Sequence, residues 1–153
     1  MYNSEIPTIT LKEVVLAPGS PFRGLLELTK VFKSVTEYVK ICDPWADLKT
    51  LELFLSIPEN VQIKFLTENT GGKSKANRFK NACKAFQNER PGFEVRKGQG
   101  LHDRFILTKK KGWSVGSSLK DFGKDFSALT PLSIEIMKDT EKIFDKLWKK
   151  AQV

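Results

Sequence analysis

Apolar positions along this chain follow two rhythms that take turns: alternation in short runs, and spacings of three and four in longer ones. Residues 11–16 form a short apolar-rich run closed by Ala17-Pro18-Gly19, which predicts a strand. Ser20-Pro21 then supplies an N-cap and a proline at the first helical position, and Phe22, Leu25, Leu26, Thr29 and Phe32 mark one helix face. A strand is predicted at residues 38–42, ending at Asp43-Pro44-Trp45. A helix over about residues 46–56 is expected to bury Leu48, Leu51, Phe54 and Leu55, and Pro58-Glu59-Asn60 turns the chain into a strand at residues 61–66.

The alternation continues. Gly71-Gly72 opens a helix at about residues 74–88 with an apolar stripe of Ala76, Phe79, Cys83 and Phe86, while Lys73, Asn77, Lys80 and Lys84 share a stripe rotated by roughly 100°. Strands are predicted at residues 93–97, 101–108 and 113–115, the last two joined by a Lys109-Lys110-Lys111-Gly112 turn. A final helix over about residues 133–151 is expected to turn Met137, Phe144, Leu147 and Trp148 inward, and Trp113 is likewise expected in the core. Strand and helix alternate through the first hundred residues, which predicts an α/β fold with a mixed, mostly parallel sheet and helices on both faces. With no repeat or long linker, residues 1–153 read as one domain.

Composition narrows the chemistry. The net charge is +8, and residues 72–111 hold twelve basic side chains against three acidic ones, a net of +9 that leaves −1 for the other 113 residues. So uneven a distribution favours a polyanion partner, nucleic acid before anionic lipid, over a merely solvated basic face. No stretch approaches a membrane span and no signal peptide is evident, so a cytoplasmic protein is expected. Cys42 and Cys83 sit in apolar runs and read as small core residues. With a single histidine, no metal set and no cofactor is expected.

That histidine, His102, carries the candidate chemistry. It precedes Gly116-Ser117 by fourteen residues, and the segment resembles the phospholipase D-like signature H-x-K-x4-D-x6-G-S-x-x-N. His102, Gly116 and Ser117 fill their positions, whereas Arg104 stands for the lysine, Lys109 for the aspartate and Lys120 for the asparagine. Val39 to Trp45, with its Asp-Pro-aromatic ending, and Gly116-Ser117-Ser118-Leu119-Lys120-Asp121-Phe122-Gly123 resemble small prokaryotic members of the superfamily. The His-Asp-Arg triplet is also similar to the C-terminal lipid-binding domain of MIT-domain proteins.

The resemblance implies a nucleophilic histidine and a phosphate cradle of Arg104, Gly116, Ser117, Ser118 and Lys120. Arginine keeps the charge and binds phosphate as a planar fork, so binding survives the exchange better than transition-state geometry does. A lysine at 109 cannot do the work of a carboxylate. Asp103 alternates away from His102 and Arg104 in an extended segment, so it is a poor substitute. Binding with weak or no hydrolysis is therefore expected; any activity would be a metal-independent phosphodiesterase reaction through His102. Because the superfamily's chemistry uses two histidines, a catalytic form would be a homodimer or need another chain. Lys80, Lys84, Lys109, Lys110 and Lys111 are candidate contacts to nucleic acid or lipid, and Trp45, at the carboxyl end of a strand, is a candidate base-stacking residue as well as a candidate core residue. The alternative readings are a non-enzymatic phosphoinositide-binding module and an inactive assembly domain in a larger defence system.

Overall fold

The structure, a computed structural model, describes residues 13–152. The elements run β1 (Val14–Leu16), α1 (Pro21–Lys33), β2 (Tyr38–Cys42), α2 (Leu48–Phe54), β3 (Gln62–Thr67), α3 (Lys73–Glu89), β4 (Phe93–Lys97), β5 (Phe105–Thr108), β6 (Gly112–Val115), β7 (Ser127–Pro131) and α4 (Ile134–Lys150), with a short 3-10 turn at Leu119–Asp121. The predicted first strand is present from Val14; residues 11 and 12 lie outside the described ones.

The seven strands form one sheet in the order β1-β7-β6-β5-β2-β3-β4. It is an α/β fold with a mixed sheet, but the expectation of a mostly parallel sheet is corrected: only β2–β3 and β3–β4 run parallel, and the other four pairings are antiparallel. The reason lies after Lys97. There the chain stops making helical crossovers: β5 enters antiparallel to β2, the tight β5–β6 hairpin turns it back, and β7 returns antiparallel to β6 after an eleven-residue connection.

Helices cover both faces. Against α1, α2 and α3 the sheet buries Ile41, Ile63, Phe65, Phe93 and Ile106 around Phe32 and Phe54, with Phe54 edge-on to Phe65 at 5.0 Å between centroids. On the other face α4 lays Met137, Phe144 and Trp148 over Cys42, Leu66, Phe105 and Leu107. Strand side chains alternate between these cores, so Ile106 enters the first and its neighbours Phe105 and Leu107 the second. The face under α4 also carries charge. Lys40 Nζ donates to Glu141 and Asp145, each at 2.8 Å, and Arg96 lies over the Trp148 ring at 4.5 Å while its Nη1 donates to the Trp148 carbonyl.

Local signals explain the helix ends. Asp47 accepts from the Lys49 amide and Thr50 Oγ1 accepts from the Asp47 amide, a reciprocal cap on α2, and Ser133 accepts from the Ile136 amide at the start of α4. Ser20 precedes α1 as expected but makes no side-chain cap; its amide donates to the Gly123 carbonyl instead. The expected α1 stripe is also corrected. Gly24, Leu28, Val31 and Phe32 face the core, while Phe22, Leu25 and Leu26 are exposed, because Gly24 lies against the Phe122 carbonyl so closely that a Cβ there would sit 2.2 Å from its oxygen. In α2, Leu51, Leu53 and Phe54 are buried and Leu48 and Leu55 are exposed. Leu147 on α4 and Ala76 and Phe86 on α3 are half-buried.

Candidate functional site

The parallel strands β2 and β3 deliver their carboxyl ends to one edge of the sheet, and β5, antiparallel to β2, starts from that same edge. Ladder pairing begins only at Phe105, so the expected strand from Leu101 is corrected: residues 101–104 approach β5 as a pinned loop. The Leu101 amide donates to Glu68 Oε1 at 2.8 Å, the Cys42 thiol contacts the Asp103 carbonyl at 3.5 Å, and the Val115 amide donates to the Arg104 carbonyl at 2.9 Å. Burial, with the nearby Asp43 and Asp103 charges, pushes the Cys42 thiol up to about 12, so it stays a neutral donor.

Asp43, the first residue past β2, is the hub of this edge. Its side chain is 0% exposed, and an isolated carboxylate there would be very unfavourable. It is met from three directions. Oδ2 accepts from the Leu119 amide at 2.8 Å and the Ser118 hydroxyl at 3.1 Å, Oδ1 accepts from the Trp45 amide at 3.1 Å, and Arg104 Nε lies 3.5 Å from Oδ1 as an ion pair. Burial still dominates and holds the Asp43 carboxyl above its ordinary value, with those hydrogen bonds and the Arg104 charge pulling it part of the way back.

One carboxylate thus ties together the loop after β6, the end of β2 and the approach to β5. Gly116 is anchored by its amide to the Ala128 carbonyl, the Ser117 and Ser127 hydroxyls share a hydrogen bond at 3.0 Å, and the buried Ser127 hydroxyl accepts from the Gly123 amide. Ser118 is buried with its hydroxyl turned to Asp43 and to the Trp45 carbonyl, so it orders the loop instead of meeting a ligand. Lys120 and Lys124 both pair with Asp121. Burial pushes the Asp121 carboxyl up, but these two ammonium groups outweigh it and hold it below its ordinary range.

Arg104 is 26% exposed and His102 is exposed, and both stand at this edge. Trp45 is there too, half open to solvent. The other candidates do not converge on it. Lys109, Lys110 and Lys111 follow β5 and lie at the opposite edge, where Lys109 pairs with Glu37 at 3.2 Å. Lys80 and Lys84 are exposed on α3, about 10 and 16 Å along the helix from Lys73. Two members of the basic cluster are consumed by the fold. Arg96 is seated on Trp148, and Arg90 is buried with its guanidinium donating to the carbonyls of Ile57, Pro58 and Val61. Trp113, Trp148, Cys42 and Cys83 are buried, as their apolar surroundings imply. Among the described residues no cluster of His, Cys, Asp and Glu could hold a metal ion, and no helix is long and apolar enough to cross a membrane.

This polar edge stands on an α/β sheet, and solved structures share the architecture. No protein-family profile matches the sequence, and no curated protein does. The fold is similar to that of NucT from Helicobacter pylori, at TM-score 0.66 and 11% identity over 92% of this chain and 98% of that one. It is similar to TrmBL2, an archaeal chromatin protein whose structure shows a novel mode of DNA binding, at 0.64 and 12% over 96% of this chain and 56% of that one. It is also similar to phosphatidylserine synthase of Haemophilus influenzae, at 0.60 and 12% over 90% and 37%. Such identities show the fold alone, an α/β fold that this chain shares with these proteins.

Proposed function

We propose that this protein is a diverged phospholipase D-like module that binds phosphodiester groups of nucleic acid at the carboxyl edge of its sheet, with slow or no hydrolysis. One observation carries the reading: the buried Asp43 holds Arg104 by an ion pair and the Ser117–Leu119 loop by two hydrogen bonds. The ion pair holds the guanidinium at this edge while Nε makes no hydrogen bond among the described residues, and a planar fork held in this way meets a phosphate with little further ordering. The net charge of +8 and the DNA-binding TrmBL2 among the fold's neighbours support the choice of nucleic acid.

His102 is the only imidazole in the chain, and the position at which the family carries its carboxylate is Lys109, at the far edge. Phosphate binding here needs no second histidine. Hydrolysis would need one, and a homodimer bringing two copies of His102 together is the arrangement that supplies it. The deciding experiment titrates the protein with labelled oligonucleotides and, separately, with phosphoinositide vesicles, and then follows a diester substrate without metal. Salt-sensitive oligonucleotide binding with negligible turnover is expected. Vesicle binding alone would favour a lipid headgroup at the same cradle, and fast cleavage lost in His102→Ala would replace the binding module with a nuclease.

A further inference from the structure

The rim of the carboxyl edge carries one large aromatic that the fold leaves open. Of the three tryptophans, Trp113 and Trp148 are buried in the two cores, whereas Trp45 is 47% exposed. Its backbone is nonetheless fixed. The amide donates to Asp43 Oδ1 and the carbonyl accepts from Ser118 Oγ, both at 3.1 Å. Trp45 also bridges to Asn69 in the register that pairs β2 with β3, so Ile41, Asp43 and Trp45 alternate onto one face.

The neighbouring ladder supplies the rest. β2 pairs with β5 at Cys42 and Phe105. Carried one residue outward, that register sets Asp43 opposite Arg104, where the ion pair is found, and His102 lies two residues further out in the loop that leads into β5. The β5–β6 register, with Phe105 against Ser114, carries to Arg104 opposite Val115, whose amide donates to the Arg104 carbonyl. An exposed indole therefore stands at the same carboxyl edge, two residues, or about 7 Å of extended chain, beyond the Asp43 that pairs with Arg104.

We infer that Trp45 is a base-stacking platform and that the nucleic acid this edge takes is single-stranded. The inference rests on the phosphate-binding reading of Arg104 and adds what lies beside the phosphate. In a duplex the faces of interior bases are covered by their neighbours, and only edges and backbone are open. An exposed indole on a fixed backbone, at the same edge as a phosphate-binding guanidinium, gains contact only from a base that is unstacked, and such stacking tolerates any base because each has a π-face.

Fluorescence reads this directly, since Trp113 and Trp148 are buried. Three probes of equal length are titrated at low salt: an oligothymidylate, a duplex, and an abasic deoxyribose-phosphate chain. The oligothymidylate should quench the tryptophan emission and bind on the order of tenfold more tightly than the other two. Trp45→Ala should abolish that margin and the quenching, Trp45→Phe should keep most of the margin, and Arg104→Gln should weaken all three probes alike. Equal affinity for the three probes, or a Trp45→Ala protein with an unchanged melting temperature and an unchanged margin, would overturn the stacking role while leaving the Arg104 reading in place. Failure of every probe to bind would overturn both.

Discussion

Both edges of the sheet carry positively charged side chains and use them in opposite ways. At the carboxyl edge a buried acid, Asp43, holds a partly exposed arginine; at the other edge a buried arginine, Arg90, is itself the hub, and its guanidinium serves the carbonyls that follow α2. Lys109 to Lys111 there sit on a hairpin tip, Lys109 and Lys110 exposed and Lys111 half-buried, with Lys109 turned to Glu37. A cation binds a ligand when the fold fixes it and leaves donors open. Counting lysines and arginines along the sequence does not distinguish these cases, because Arg90 and Arg104 contribute equally to the count.

The largest effect that would break this comparison is on Asp43. Asp43→Ala leaves the Leu119 and Trp45 amides and the Arg104 guanidinium without their acceptor, and should cost about 3–5 kcal/mol in urea unfolding. A cost below about 1 kcal/mol would mean the carboxylate is not the hub. Arg90→Met leaves the carbonyls of Ile57, Pro58 and Val61 short of donors at the opposite edge and should cost about 1–3 kcal/mol, with oligonucleotide affinity unchanged. A loss of affinity at full stability would show that edge to bind as well.

The pH dependence sharpens the same contrast. Because burial raises the Asp43 carboxyl in the folded chain, the folded state holds this proton more tightly than the unfolded one. For this group, stability is therefore full below about pH 4, the ordinary aspartate value, falls as the pH rises through the raised value, and is level above it. Asp43→Asn should remove that falling segment from a pH series of unfolding curves, and an unaltered segment would assign it to another group. The smallest effect is expected at the hairpin tip. Replacing Lys109, Lys110 and Lys111 together with alanine should change stability by no more than about 0.5 kcal/mol, measured by thermal melting.

Much of the fold was legible because its strands and helices carry strong local patterns. β2 and β4 begin and end where the apolar runs do, and α3 and α4 differ from their predicted bounds by a residue or so. β7 escaped because Ser127-Ala-Leu-Thr-Pro is a short edge-like run with a proline, and it becomes a strand only through β1 and β6 on either side. The α1 face was misread because a glycine sets it: the close approach of Gly24 to Phe122 has no hydrophobic signature. The site was half legible. The spacing from His102 and Arg104 to Gly116-Ser117 pointed to residues that the fold gathers at one edge, but Asp43 looked like the punctuation of a strand, since its partners Arg104, Ser118 and Leu119 are distant in sequence and meet it only across the sheet. The lysine run drew attention by composition and lies at the other end of β5.

The most direct test of the account sets the two edges against each other in one binding assay. Oligonucleotide affinity is measured at several salt concentrations for the wild-type chain, for Arg104→Gln, and for the triple alanine replacement of Lys109, Lys110 and Lys111. The account predicts that Arg104→Gln weakens binding by roughly tenfold or more, the worth of a charge-assisted contact, while the triple variant stays within about twofold and keeps the wild-type salt slope. A triple variant that loses affinity and salt slope while Arg104→Gln binds like the wild type would contradict it.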